Sequence, residues 1–356
     1  MIYYLNALLL MLLISCGGSD NDSSAGFPLP ESQEITPEFL VDRNDVIWGF
    51  DFLPDGRILF TERSGRLFLL SPESQEIIQV EGAPSVRAIG EGGLMDLKLH
   101  PNFATNSRVY ICYTPTNGRA VALGRGTLEE EGLTNVEQIF QTQDANSASI
   151  HFGCRIEFQN SDRLFLSVGD QNNPSQAQSL NSHLGKILRL NAEGDAPADN
   201  PFSGTDALPE IWSLGHRNPQ GLAVRPGTDQ LFSSEHGPTG GDELNIILPG
   251  ENYGWPLVTA GEPAGELGES SEEFVDPILT WTPAIAPSGM TFYQGDLFIA
   301  TLRGRHIRRI SLSGDVVSSQ GELVEEGEPR FRNVSVGPDG FLYFSTDDGK
   351  IGRVNF

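Results

Sequence analysis

GFDFLPDGRILFTER, residues 49–63, holds two apolar runs that meet at a Pro-Asp-Gly turn. Pro presets one backbone angle and Gly tolerates the left-handed one, so the stretch reads as a β-hairpin. Five further stretches follow the same plan: GLMDLKLHPNFATNSRVYICYT (93–114), CRIEFQNSDRLFLSVGD (154–170), GLAVRPGTDQLFSSEHG (221–237), GMTFYQGDLFIATLRG (289–304) and VSVGPDGFLYFSTDDG (334–349). A third strand often comes next, as in GRLFLLS (65–71), GKILRLN (185–191), DELNIIL (242–248), RHIRRISL (305–312) and GKIGRVNF (349–356). One small antiparallel sheet cannot bury its apolar faces alone. Six of them packed radially can, and most of their edges are then protected. The expected fold is all-β, a six-bladed β-propeller over residues 38–356, with an open sandwich as the alternative. EFLVDRNDVIW (38–48) precedes the first repeat and is expected to supply the outer strand of the last blade, closing the ring.

Composition agrees with short strands and tight connections, with 40 Gly and 23 Pro in 356 residues. The 23 Lys and Arg face 48 Asp and Glu, a net charge of -25. A nucleic acid partner needs a basic stripe to displace its counterions, and anionic lipid needs a basic patch, so both are excluded as expectations. An acidic, well-solvated surface is the plain reading of the charge.

Residues 2–14 (IYYLNALLLMLLI) are apolar but too few to span a bilayer. Leu13-Ile14-Ser15-Cys16 then resembles a bacterial lipoprotein signal, cleaved before Cys16; an ordinary signal peptide with an incidental Cys is the alternative. On the first reading, residues 1–16 are signal and anchor and 17–37 a flexible linker. The protein is then periplasmic or an outer-membrane lipoprotein, touching the membrane only through lipid. Cys112 and Cys154 lie in neighbouring repeats; they either pair in an oxidising compartment or remain two separate buried thiols.

Inner strands of a propeller begin around one end of the central channel. The residues opening each repeat therefore converge there: Trp48, Glu91, His151, Arg217-Asn218, Pro287-Ser288, and Arg330 with Arg332. Arg217, Arg303, Arg305, Arg330 and Arg332 all fall at repeat junctions of an acidic chain, which suggests a pocket for a small anion. EHGPTGGDELN (235–245) and ENYGW (251–255) set the carboxylates of Glu235, Asp242 and Glu243 among Gly and Pro that expose backbone carbonyls. Hard oxygens of this kind suit calcium, although the EF-hand spacing is absent. His151 opens its strand at the channel and is the candidate general base, whereas His100, His183 and His306 read as structural. HExxH, P-loop, GxSxG and Rossmann patterns do not occur, so bound NAD is not expected.

The stretches EGGLMDLKLHPNF (91–103), HFGCRIEF (151–158), GKILRLN (185–191), EIWSLGHRNPQGLAV (210–224), EHGPTGGDELNII (235–247), NYGWP (252–256) and RFRNVSVGPDGFLY (330–343) carry a resemblance. From residue 38 onward the chain resembles the glucose/sorbosone dehydrogenases, most closely the soluble PQQ-dependent aldose sugar dehydrogenases. The resemblance implies a six-bladed propeller that oxidises an aldose sugar substrate at its anomeric hydroxyl and hands electrons to an external electron acceptor. It implies His151 as catalytic base and Arg217, with Asn218, at the PQQ cofactor, Arg217 steadying the developing oxyanion. It further implies Arg303, Arg330 and Arg332 as partners of PQQ, and the backbone carbonyls of Gly237 and Pro238 as ligands of the cofactor Ca2+. Glu243 and the Tyr253 carbonyl correspond to ligands of a second calcium, and Glu91, Asp170 and Trp281 to substrate contacts. Three positions depart from the pattern: Glu91 replaces Gln, Arg303 replaces Lys, and Ile150 replaces the Asp that precedes the base in glucose dehydrogenases. A calcium-stabilised binding module without catalysis and a calcium-dependent lactonase are the competing functions. The sugar, the acceptor and the oligomeric state stay open at this level.

Overall fold

The computed structural model describes residues 36–118, 120–144, 148–260, 262–263, 274–323 and 329–354; the expected signal segment and most of the linker lie outside them. Six four-stranded antiparallel sheets succeed one another along the chain. Their innermost strands are Ile47–Phe52, Leu94–Leu99, Gly153–Asn160, Pro219–Val224, Pro287–Tyr293 and Phe331–Val336. Each of the first five blades adds its strands outward in sequence order. The sixth is completed by Glu38–Asp42, which pairs with Lys350–Val354 so that Glu38 faces Arg353 and Asp42 faces Lys350. The ring is a six-bladed β-propeller closed by its own N-terminal strand, as expected from residues 38–48. Trp48 differs slightly from expectation, lying inside the first inner strand and not ahead of it.

The apolar runs of the repeats follow from this packing. A blade is covered on both faces by its neighbours, so a strand such as Ile58–Glu62 is buried at every position. Six hydrophobic clusters result, one at each inter-blade interface, with no single shared core. Tyr110 and Leu164 belong to the cluster between the second and third blades, for instance, and Phe298 and Phe344 to that between the fifth and sixth.

Two devices shape the channel. In all six blades the register of the inner strand slips within its first few residues, a β-bulge repeated at one end of the ring. Bulges bend a strand and re-aim its side chains, here at the end where the expected site residues lie. Glycines then let adjacent inner strands approach. A Cβ on Gly221 would sit 2.4 Å from the Ser288 carbonyl oxygen, and one on Gly289 only 1.9 Å from Asn333 Oδ1.

Cys112, on the second strand of the second blade, is bonded to Cys154 on the inner strand of the third, with both fully buried. The bridge closes a loop of sequence separation 42 and adds a covalent staple between two blades that also meet through apolar packing and the Asp96–Arg155 and Lys98–Glu157 ion pairs. Loop-closure entropy at that span amounts to about 4 kcal/mol, an upper figure for its effect. Replacing both cysteines by serine should therefore lower unfolding free energy by about 2–4 kcal/mol, read as an earlier urea midpoint. Coincident unfolding curves would contradict this.

Candidate active site

His151 ends the loop into the third blade with φ of 57°, in the left-handed region that a non-glycine residue occupies at a cost of roughly 1–2 kcal/mol. Several contacts hold it there. Its backbone N–H donates to Glu91 Oε2 at 2.8 Å, and its carbonyl accepts the Gln171 N–H at 3.2 Å. Gly169 packs so closely that a Cβ there would lie 2.1 Å from that carbonyl oxygen. The bridge at Cys154 pins the strand three residues on.

The imidazole is held as firmly as the backbone. Nδ1 lies 2.7 Å from Asp170 Oδ1, which also accepts the Asn172 N–H, and Asp170 Oδ2 accepts the indole N–H of Trp255 at 2.8 Å. A carboxylate accepts hydrogen bonds, so in the neutral ring the proton sits on Nδ1 and the lone pair is left on Nε2. This corrects one expectation. Asp170 is 1 % exposed with both oxygens occupied, so it is the hydrogen-bond partner of His151 and has no free oxygen to offer a substrate.

Arg217 and Asn218 stand at the corresponding point of the fourth blade. Glu235 anchors that turn, its Oε2 accepting the Arg217 N–H at 2.7 Å while Oε1 accepts His216 Nδ1–H at 2.9 Å. The Arg217 guanidinium donates to the His236 carbonyl at 3.2 Å and lies 5.4 Å from the Trp255 ring centroid; its Nε is buried with no partner among the described residues. Burial pushes Arg217 below the usual guanidinium range, against the carboxylates of Asp170, Glu235, Asp242 and Glu91. An arginine is not deprotonated in a folded protein, so the guanidinium stays charged. Asn218 Oδ1 accepts the Gly153 N–H at 3.1 Å, coupling the fourth inner strand to the third. His236 is pushed down to about 3 by burial and by the charges of Arg332 and Arg217, so its ring is neutral.

On the sixth blade, Asp347 gathers two guanidinium groups: Arg330 Nε donates to it at 2.8 Å and Arg332 Nε at 2.7 Å. Burial opposes that charge, but Arg332 and Arg330 hold the Asp347 carboxyl below its ordinary value. Arg332 also donates to Gln220 Oε1 at 2.7 Å and sits 5.5 Å from the Trp48 ring centroid, whose other neighbour is Arg155 at 4.3 Å. Arg155 is in turn fixed by Asp96 at 2.9 Å. Arg330 is half-exposed, and Arg303 and Arg305 are exposed.

A cavity of about 10 Å³, room for roughly one water-sized sphere, is bordered by Arg217, Glu235, Gly237, Glu243, Tyr253 and Trp255 among others. It unites three of the four residues expected near calcium; Pro238 is exposed and does not line it. Burial and the neighbouring Glu235 push Glu243 up to about 7. Asn245, between the two carboxylates, has a buried Oδ1 without a hydrogen-bond partner among the described residues. Asp242 accepts the N–H groups of Gly237, Ile285 and Ala286 and shapes the loop from within. No group of three His, Cys, Asp or Glu side chains poised to hold a metal occurs among the described residues.

Trp281 is a second correction. It is 5 % exposed, belongs to the cluster between the fourth and fifth blades, and donates its indole N–H to Gln320 at 3.0 Å. An interior residue of an outer strand does not meet a substrate at the channel. His100, His183 and His306 are hydrogen-bonded to Ser161, Glu210 and Gly304 respectively, in keeping with structural roles. Trp255 was missed in the sequence, although its place in NYGWP, beside the suspected calcium segment, was a usable signal. The Asp96–Arg155–Trp48 stack was missed too, because its members lie inside apolar strands.

The Glucose / Sorbosone dehydrogenase family profile matches residues 44–353. Aldose sugar dehydrogenase YliI of Escherichia coli is 37% identical over 350 residues, covering 92% of this chain and 93% of its own. Quinoprotein glucose dehydrogenase B of Acinetobacter calcoaceticus is 28% identical over 401 residues, covering 85% and 82%. The PQQ-bound aldose sugar dehydrogenase of Streptomyces coelicolor superposes with a TM-score of 0.81 at 29% identity, covering 93% of this chain and 99% of that one. With its closed six-bladed ring and the ionisable groups gathered at one end, the chain belongs to the glucose/sorbosone dehydrogenase family, among the PQQ-type sugar dehydrogenases.

Proposed function

We propose that this protein oxidises aldose sugars at the anomeric hydroxyl to lactones, with PQQ and Ca2+ as resident cofactors and an external acceptor for the electrons. The observation that carries the reading is the assembly of one oriented imidazole, His151, with the guanidinium groups of Arg217, Arg330 and Arg332 at one end of the channel. The names of the Acinetobacter and Streptomyces relatives support the quinone.

The residues present fit the cofactors. PQQ is a planar tricarboxylate, and Arg217 offers a buried Nε donor without a partner. Arg330 and Arg332 would meet carboxylates from the sixth blade, and Arg303 and Asn218 complete the set we assign to PQQ. A calcium ion in the small cavity would relieve the crowding of Glu235 and Glu243, with Tyr253 contributing its carbonyl, and the carbonyls of Gly237 and Pro238 would hold the separate cofactor calcium. Bound PQQ supplies a two-electron acceptor that water and side chains cannot.

The chain's own part is proton transfer and charge stabilisation. His151 Nε2 takes the hydroxyl proton of the sugar, Asp170 stabilises the imidazolium that forms, and Arg217 stabilises negative charge on the reacting oxygen. Glu91, beside His151, remains the candidate substrate contact. Ile150, which replaces the acidic residue of glucose dehydrogenases, makes glucose itself a poor first choice. The apolar N-terminus ending at Cys16 supports a lipid-anchored, periplasmic or outer-membrane setting. The test is reconstitution of apo-protein with PQQ and Ca2+, followed by dye reduction with a panel of aldoses. Saturable turnover on at least one sugar is expected; inactivity on all, with no quinone absorbance retained after desalting, would leave a binding module instead.

A further inference from the structure

Trp255 stands where three parts of the site meet. Its indole N–H donates to Asp170 Oδ2 at 2.8 Å, its ring centroid lies 5.4 Å from the Arg217 guanidinium carbon, and it borders the cavity that contains Glu243. Its backbone is fixed from the third blade. The Trp255 N–H donates to the Gly215 carbonyl at 2.9 Å, and Gln178 Nε2 donates to the Trp255 carbonyl at 2.7 Å. The amides of Gln178 and Asn252 also exchange two hydrogen bonds, of 3.0 and 2.7 Å. Gln178 closes the short 3-10 turn Pro174–Gln178, and the buried Lys186 ammonium grips that turn by donating to the carbonyls of Gln176 and Ala177 at 2.8 and 2.9 Å. A loop of the fourth blade is thus latched to the third.

We propose that Trp255 is a positioning residue: it fixes the Asp170 carboxylate, and through it the His151 ring, in register with Arg217 and the carboxylate cavity. The catalytic consequence rests on the sugar dehydrogenase reading; the positioning itself does not. Without the indole donor, Asp170 Oδ2 is a buried acceptor with no partner among the described residues, and only the contacts of Oδ1 with the Asn172 N–H and with His151 itself still oppose rotation of the carboxylate about its last torsion. The hydrogen bond to His151 then loses its fixed direction, as when the outer partner of a ligating or catalytic histidine is removed.

Trp255→Phe deletes the N–H and keeps most of the aromatic surface over Arg217. In the enzyme loaded with PQQ and Ca2+, kcat should fall about 10–100-fold while KM for the sugar and retained PQQ stay within about twofold. In an Asp170→Asn background the same substitution should add less than about twofold, because the acceptor it serves is already altered. A second readout needs no cofactor. In the 1H–15N spectrum of apo-protein, one indole N–H should be protected from solvent exchange, vanish in Trp255→Phe, and lose its protection in Asp170→Ala. Turnover of Trp255→Phe within twofold of wild type, full additivity with Asp170→Asn, or an unprotected indole N–H would each overturn the proposal. Should wild type fail on every sugar while the protected indole behaves as described, positioning stands and the substrate reading falls.

Discussion

His151→Ala should lower kcat of the reconstituted enzyme by about two to four orders of magnitude, the range lost with a positioned general base. Retained PQQ should change little, because none of the guanidinium groups assigned to the quinone is held by the imidazole. Arg217 is fixed through Glu235 and the His236 carbonyl, and Arg332 through Asp347 and Gln220. Single-turnover sugar oxidation alongside quinone absorbance after desalting separates the two quantities. A variant within about threefold of wild type in turnover would remove His151 from the mechanism. Parallel loss of turnover and quinone would instead make it a binding residue.

Chelation of calcium should produce the second large effect, a loss of quinone and activity together with a drop in thermal stability. A ligand present at one hundred times its dissociation constant stabilises the folded state by about 2.7 kcal/mol. For a chain of this size that is several degrees in Tm. Two carboxylates, Glu235 and Glu243, share a buried neighbourhood bridged by the amide of Asn245. Removing one charge should mimic the cation in part. Glu243→Gln is therefore expected to melt higher than wild type in EGTA and to gain less on calcium addition, both by scanning calorimetry. Equal responses of the two proteins to calcium would move the ion elsewhere.

The ring was legible because its period is written locally. Each hairpin carries its own Pro-Gly or Asn turn, and strands covered on both faces, such as Ile58–Glu62, are continuous apolar runs. The mouth was legible at His151, Arg217 and Arg330 because ionisable residues at the start of apolar strands stand out. What failed was the direction of side chains across blades. Asp170 follows a strand end just as a substrate ligand would, yet its carboxylate turns back to His151 and Trp255. Trp281 sits next to the calcium segment in space, but on an outer strand its side chain faces the neighbouring blade. Only the paired register across sheets distinguishes such cases, and one strand read alone does not contain it. The cysteine pair was undecided for the same reason: proximity of Cys112 to Cys154 depends on how the second blade leans on the third.

The N-terminal strand has a consequence for how the molecule is held. Strands alternate in direction from the channel outward, so the outermost strand of the sixth blade starts on the face opposite the mouth and ends level with it. The chain therefore enters the disc at Glu38 on its underside, as a stem meets the base of a cup. The mouth that carries His151 and Arg217 stays clear of the point at which the chain enters the ring.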